Sequence, residues 1–244
     1  MNNTRLYIKD VWYHVIYRWL LRAPVAILMY HSVGYNKLFF TVTPESFRWQ
    51  MQYLRQKGYH IARLSNVVDD LKYGRNLPRH TVALTFDDGY EDNFTNVLPV
   101  LEEFGIPATI FVSTDFIGTT RDVRGIPMKH VSREQLVQLQ KSDLVDIQAH
   151  GMSHRRLTTL DTADARREME RSQWQLADIV GKPCTLFAYP FGDVDPRIKA
   201  VARSLFSGAV GVRRGYAIAD SDVFELPRQS IDSAVSSWRF FLKC

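Results

Sequence analysis

The sequence predicts an α/β domain in which βα units surround a mostly parallel sheet or barrel, and three observations carry that expectation. Short apolar runs alternate with helical segments from Pro24 onward. Proline, serine, aspartate and glycine punctuate the helical segments at the places where helices start and stop. Polar clusters stand directly after the apolar runs, where folds of this class carry their sites. A length of 244 residues suits one such domain, and 45% hydrophobic with 23% charged residues supplies enough apolar surface for a core.

Before Pro24 the pattern is different. Ile8, Val11, Trp12, Val15, Ile16, Trp19 and Leu20 recur at three- and four-residue steps, which predicts an amphipathic helix within residues 1–23 ahead of a domain spanning 24–244. Arg5, Lys9, Arg18 and Arg22 against Asp10 make residues 5–22 basic, with tryptophan and tyrosine interleaved. Such a helix packs on protein or lies in an anionic membrane interface. His14 and Arg18 interrupt the apolar stretch, so neither a spanning helix nor a signal peptide is expected, and the expected location is cytoplasmic or at the inner membrane face.

Within the domain, residues 25–30, 81–86, 108–112 and 145–149 read as buried strands, with further candidates at 185–188 and 209–212. Pro44 starts a helix carrying Phe47, Met51 and Leu54 that Gly58 stops, and another ends at Gly105. Ser132 with Gln135 forms a capping box. Asp161 or Thr162 opens a long charged helix closed by Gly181, and Asp195-Pro196 opens a last one stopped near Gly208.

The net charge of +5 comes without a block of like charges, which excludes a nucleic-acid arm. Two cysteines, Cys184 and Cys244, make neither a disulfide framework nor a metal knuckle, so a metal would need histidine and carboxylate ligands. Asp87 and Asp88 follow the second strand. As adjacent strand-end residues they point different ways, one toward a metal and one toward a water, or they are the ordinary polar opening of a turn at Gly89. His150 and His154 follow the fourth strand and share a face if the segment makes a helical turn, though Gly151 and Ser153 are poor helix-interior residues and suggest a strand-end loop; with Asp88 they would give three ligands and an open position. His31 ends the first strand, and Tyr189-Pro190-Phe191-Gly192 ends the fifth; a wall histidine and a plain turn are the simpler readings of each.

Together these residues resemble the polysaccharide deacetylases of carbohydrate esterase family four, the NodB-homology domain, over residues 26–232. Thr85-Phe86-Asp87-Asp88-Gly89 is similar to the family's first motif, and His150 to His154 to its second; Phe187 to Gly192 resembles its third. The resemblance implies a distorted (β/α) barrel of about seven strands and a hydrolase removing N-acetyl groups from an amino-sugar glycan. It implies Asp87 as general base, Asp88, His150 and His154 as metal ligands, and Tyr189, Pro190 and Phe191 as groove and oxyanion contacts. The implied metal is Zn2+, with Co2+ or Ni2+ as substitutes. Two family features are absent: Ala188 stands where an arginine usually orients the base, and no histidine follows His154. Met29-Tyr30-His31 and Leu226-Pro227-Arg228 instead resemble a permuted subgroup that includes poly-N-acetylglucosamine deacetylases. There His31 would serve as acid, with His130 as the fallback, and Arg228 would orient Asp87. A carbohydrate-binding homologue without turnover and a metal-dependent phosphoesterase are the competing readings.

Overall fold

The structure, a computed structural model, describes residues 24–244. The helix expected at 5–22, with its membrane contact, lies outside the described residues. Apolar runs become strands in chain order: β1 (Ala26–Tyr30), the short β2 (Ser32–Val33) and β3 (Thr41–Val42), β4 (His60–Ile61), β5 (Thr81–Phe86) and β6 (Ala108–Val112). A hairpin follows, β7 (Thr120–Val123) with β8 (Ile126–Lys129). The chain continues through β9 (Val145–Ala149), β10 (Leu186–Ala188), β11 (Gly208–Arg214) and β12 (Leu226–Ser230). Strands pair in the order β1-β12-β11-β10-β9-β6-β5, and β1 pairs again with β5, so seven parallel strands close a barrel with β4 appended to β5. This is the distorted (β/α) barrel that the resemblance implies.

The helices are α1 (Pro44–Gln56), α2 (Leu64–Lys72), α3 (Leu98–Phe104), α4 (Arg133–Lys141), α5 (Thr162–Val180), α6 (Pro196–Leu205) and α7 (Ser237–Lys243). Their ends follow local chemistry. Ser132 and Gln135 exchange the two hydrogen bonds of a capping box, Asp161 accepts from the Asp164 N–H, and Asp195 accepts from the Ile198 N–H. Gly105 and Gly181 close α3 and α5 in the left-handed conformation. The helix expected to stop near Gly208 ends at Leu205, where Phe206 is already extended, and Gly208 begins β11. A Cβ at Gly208 would lie 2.7 Å from Val68 Cγ1 and 3.0 Å from the Val223 carbonyl, so glycine there permits α2 to approach the barrel.

Strand alternation sorts the core into two parts. Ile27, Ala83, Phe111, Ala188, Val210 and Leu226 fill the barrel with Leu64, Val67, Val68 and Leu71 of α2. Leu28, Leu84, Ile110, Ile147, Phe187 and Ala209 belong to the cluster shared with the outer helices, including Phe47, Leu101, Leu136 and Met169. Among the described residues, no helix is long and apolar enough to cross a membrane.

Candidate active site

A cleft of about 580 Å³ opens where β1, β5 and β9 end, and it contains His31, Asp87, Asp88, His150 and His154. Separate strand ends thus bring together residues up to 123 positions apart in sequence.

The two adjacent aspartates do point different ways. The Asp87 N–H still donates to the Tyr30 carbonyl at 3.0 Å, extending the ladder between β5 and β1. Its carboxylate meets Arg228: Nη1 donates to Oδ1 at 2.8 Å and Nη2 to Oδ2 at 2.7 Å. Arg228 is fully buried, donates from Nε to the Gly211 carbonyl at 2.7 Å, and shares Nη1 with Thr85 Oγ1 at 3.1 Å. Burial alone pushes the Asp87 carboxyl up, but the Arg228 charge and hydrogen bonds, with His150 and His31 nearby, hold it below the usual carboxylate range. Asp87 is therefore an ionised acceptor held in one orientation.

At Asp88 the backbone enters the left-handed region, φ 73°, followed by Gly89 at 68°. A side chain at Gly89 would also lie 3.1 Å from Val112 Cγ2, so the sharp turn requires glycine. Asp88 then faces the two histidines, with His150 Nε2 3.4 Å and His154 Nε2 3.2 Å from Oδ1. Burial pushes Asp88 up and the neighbouring imidazoles more than reverse it, holding the carboxyl well below its ordinary value.

His150 and His154 converge from a strand-end loop, as Gly151 and Ser153 suggest, and not from a helical turn. The segment is a loop in which Gly151 and His154 take positive φ, 76° and 55°. Its carbonyls at Gly151 and Met152 accept the N–H groups of Thr114 and Asp115. Its N–H groups at Met152 and Ser153 donate to Glu168 Oε2, both at 2.9 Å, and Ser153 Oγ donates to Glu168 Oε1 at 2.6 Å. His150 Nδ1 lies 2.8 Å from the Ala188 carbonyl, which sets Nδ1 as a donor and directs the other ring nitrogen, Nε2, toward Asp88. The ligand atoms of Asp88, His150 and His154 lie within 4.8 Å of one another. Asp88 Oδ1 is buried without a hydrogen bond, and two imidazoles with one carboxylate are a donor set suited to a divalent cation with an open position. The residues fit a metal.

His31 borders the same cleft, its ring 5.2 Å from Phe40 and its carbonyl accepting from Asn93 Nδ2 at 2.9 Å. Of the Tyr189-Pro190-Phe191 run, the structure brings only Phe191 to the cleft wall. The Tyr189 side chain is a correction to the expected groove contact: its ring is fully buried and its hydroxyl donates to the Phe224 carbonyl at 2.9 Å. Pro190 is buried as well. Phe191, half exposed, takes φ 60° and packs its ring 4.5 Å from His154. Asp88, Arg124, His154 and Phe191 are four of the six non-glycine residues with positive φ among the described residues, a concentration of unfavourable backbone in one cleft.

Tyr90 and Phe116 are cleft residues that escape the sequence reading, and both pack on the fallback histidine: Tyr90 lies 5.0 Å and Phe116 5.2 Å from His130, ring to ring. His130 is buried, and that burial lowers its pKa and keeps it neutral at pH 7. Glu168 does leave a signal: it interrupts the buried stripe of α5 formed by Ala165, Met169, Ser172 and Leu176, and a carboxylate there needs partners.

Residues 74–207 match the sequence profile described as polysaccharide deacetylase. A poly-beta-1,6-N-acetyl-D-glucosamine N-deacetylase of Staphylococcus epidermidis is 25% identical over 218 residues, 83% of this chain and 73% of its own length. Among solved structures, IcaB from Ammonifex degensii matches with TM-score 0.79 at 24% identity, over 91% of this chain and 97% of that one. The Streptococcus pyogenes deacetylase PplD, in complex with acetate, matches with TM-score 0.79 at 22% identity, over 90% and 97%. Both structural likenesses concern the fold.

Proposed function

The chain belongs to the polysaccharide deacetylase family, and from that premise we propose that it is a metal-dependent hydrolase removing N-acetyl groups from an N-acetylglucosamine-containing glycan, with release of acetate. Residues 24–244 form the catalytic domain in this reading. The observation that carries it is the division of labour between adjacent carboxylates: Asp87 is bound by Arg228, and Asp88 is turned away toward His150 and His154.

Asp88, His150 and His154 hold a divalent cation, for which zinc is the best match to two nitrogens and one oxygen, with cobalt or nickel able to replace it. A cation there supplies a Lewis acid for the amide carbonyl and lowers the pKa of water. Asp87, ionised and fixed by Arg228, accepts the proton of the attacking water. Its depressed pKa weakens it as a base but guarantees the unprotonated form at neutral pH. The backbone N–H of Phe191 donates to the oxyanion as the carbonyl becomes tetrahedral. His31, at the cleft wall, gives a proton to the departing amine.

The test is acetate release, with matching loss of acetyl mass, from N-acetylglucosamine oligomers incubated with the zinc-loaded protein. Release that stops after chelation and returns with metal is expected. Metal-loaded protein that leaves N-acetylated oligomers intact would overturn the reading.

A further inference from the structure

The hairpin of β7 and β8 overhangs the cleft and contributes Arg121 and Arg124 to its wall. Arg121 places its guanidinium 3.9 Å above the centre of the Phe116 ring, and Arg124 places its own 5.2 Å from that of Phe39. Neither pairs with a carboxylate among the described residues. The acid between them, Asp122, uses Oδ1 to accept the Gly125 N–H at 3.0 Å, tying that oxygen to the hairpin turn. Both arginines are exposed; Phe39 is 57% exposed as well, while Phe116 is a buried ring that Arg121 covers from the solvent side.

A guanidinium lying on an aromatic ring is held by its face, while its N–H donors project in the plane and remain available. Two such forks at one mouth are a receptor for carboxylate or phosphate. The site carboxylates do not cancel them: Asp87 is neutralised by Arg228, and Asp88 is turned to the histidines. On the deacetylase reading above, we propose that Arg121 and Arg124 select an acidic glycan, one carrying a carboxylate or phosphate beside the N-acetylated sugar. The same charges disfavour a glycan already bearing free amines, which are cationic, so neighbouring sugars are deacetylated less readily once the first has reacted.

The experiment compares three substrates with the zinc-loaded protein: an N-acetylglucosamine tetramer, a tetrasaccharide alternating N-acetylglucosamine with glucuronate, and N-acetylglucosamine oligomers joined by phosphodiesters. We expect kcat/KM to favour at least one acidic substrate by about tenfold, the size of a charge-assisted contact, with the preferred one identifying the anion. The preference should reside in KM and shrink as KCl is raised. In Arg121→Ala/Arg124→Ala the ratio of acidic to neutral kcat/KM should fall about tenfold, and Arg121→Lys/Arg124→Lys should retain part of it. Equal rates on all three substrates, or a preference that survives the double alanine variant, would overturn this inference while leaving the deacetylase reading intact. Acetate release from none of them overturns both.

Discussion

Arg228 grips Asp87 with two hydrogen bonds, at 2.8 and 2.7 Å, across 141 residues of sequence and with both side chains shut off from solvent. Removing one partner leaves a buried charge uncompensated, which costs about 3–5 kcal/mol, whereas removing both at once exchanges the pair for neutral groups. Arg228→Leu alone should therefore lower stability by roughly that amount. The double variant Asp87→Asn/Arg228→Leu should be markedly less destabilised than the sum of the two singles, as read from urea midpoints in a double-mutant cycle. Additive single effects would mean that the pair is not coupled as its geometry requires.

Glu168 acts on the cleft through the loop that carries His150 and His154. Glu168→Ala removes the acceptor for two backbone N–H groups and the Ser153 hydroxyl. Zinc affinity should fall about 10–100-fold, the usual effect of losing a group that supports a ligand. Glu168→Gln keeps one carbonyl oxygen for the two N–H groups and an amide for Ser153, and should restore most of the affinity. Competition with a fluorescent chelator measures both; equal affinity in the wild type and Glu168→Ala would show that the loop holds itself.

How much of this was legible in the sequence depended on which side of each element meets polar groups. Residues 81–86, 108–112 and 145–149 are short, largely apolar runs bounded by turn residues, and they become β5, β6 and β9 with the expected ends. The caps at Ser132, Asp161 and Asp195 are local chemistry and are equally readable. β12 is different: Leu226-Pro227-Arg228-Gln229-Ser230 has a proline and two long polar side chains, and reads as a loop. Its side-chain donors find partners only in the closed barrel, Arg228 in Asp87 and Gly211, and Gln229 Nε2 in the Gly215 carbonyl at 3.0 Å. The β7–β8 hairpin is mostly exposed and buries only Met128, with Val123 and Ile126 partly covered beside it, too short an apolar face to impose alternation on the sequence. Gly151 and Ser153 mark the segment bearing His150 and His154 as a strand-end loop, but the support that shapes it, the Glu168 carboxylate from α5, comes from a distant element and is not written in the spacing.

Asp92 provides a pH prediction outside the metal ligands. Burial raises its pKa from 3.8 to about 6, although Ser32 Oγ donates to Oδ2 at 2.5 Å and Asn93 Nδ2 to Oδ1 at 3.0 Å. A folded-state pKa above the unfolded value favours the native state fully below about pH 4, and that contribution is lost as pH rises to about 6. A shift of this size corresponds to about 3 kcal/mol. Asp92→Asn removes the titration, so the difference in urea-unfolding free energy between wild type and variant should change in the variant's favour from pH 4 to pH 6. A difference constant across that window would contradict the assignment.

His31→Ala should keep its fold and its zinc, since His31 is outside the ligand set, and lose about 10²- to 10⁴-fold in kcat, the contribution of a positioned acid. The loss should be smaller on an N-acetyl substrate whose leaving amine needs no protonation, such as an activated anilide. Steady-state kinetics on the two substrates measures this, and an equal loss on both would assign His31 a structural role.

The central claim is that neighbouring carboxylates do different work, and it is tested most directly by zinc content and acetate release measured on the same samples of Asp87→Asn and Asp88→Asn. Asp87→Asn should retain about one zinc per chain and lose turnover by at least about 10²-fold, because the amide cannot take the proton. Asp88→Asn should lose zinc and activity together, because it weakens one of three protein ligands. If Asp87→Asn came without zinc, or Asp88→Asn kept both zinc and turnover, the division between Asp87 and Asp88 would be contradicted.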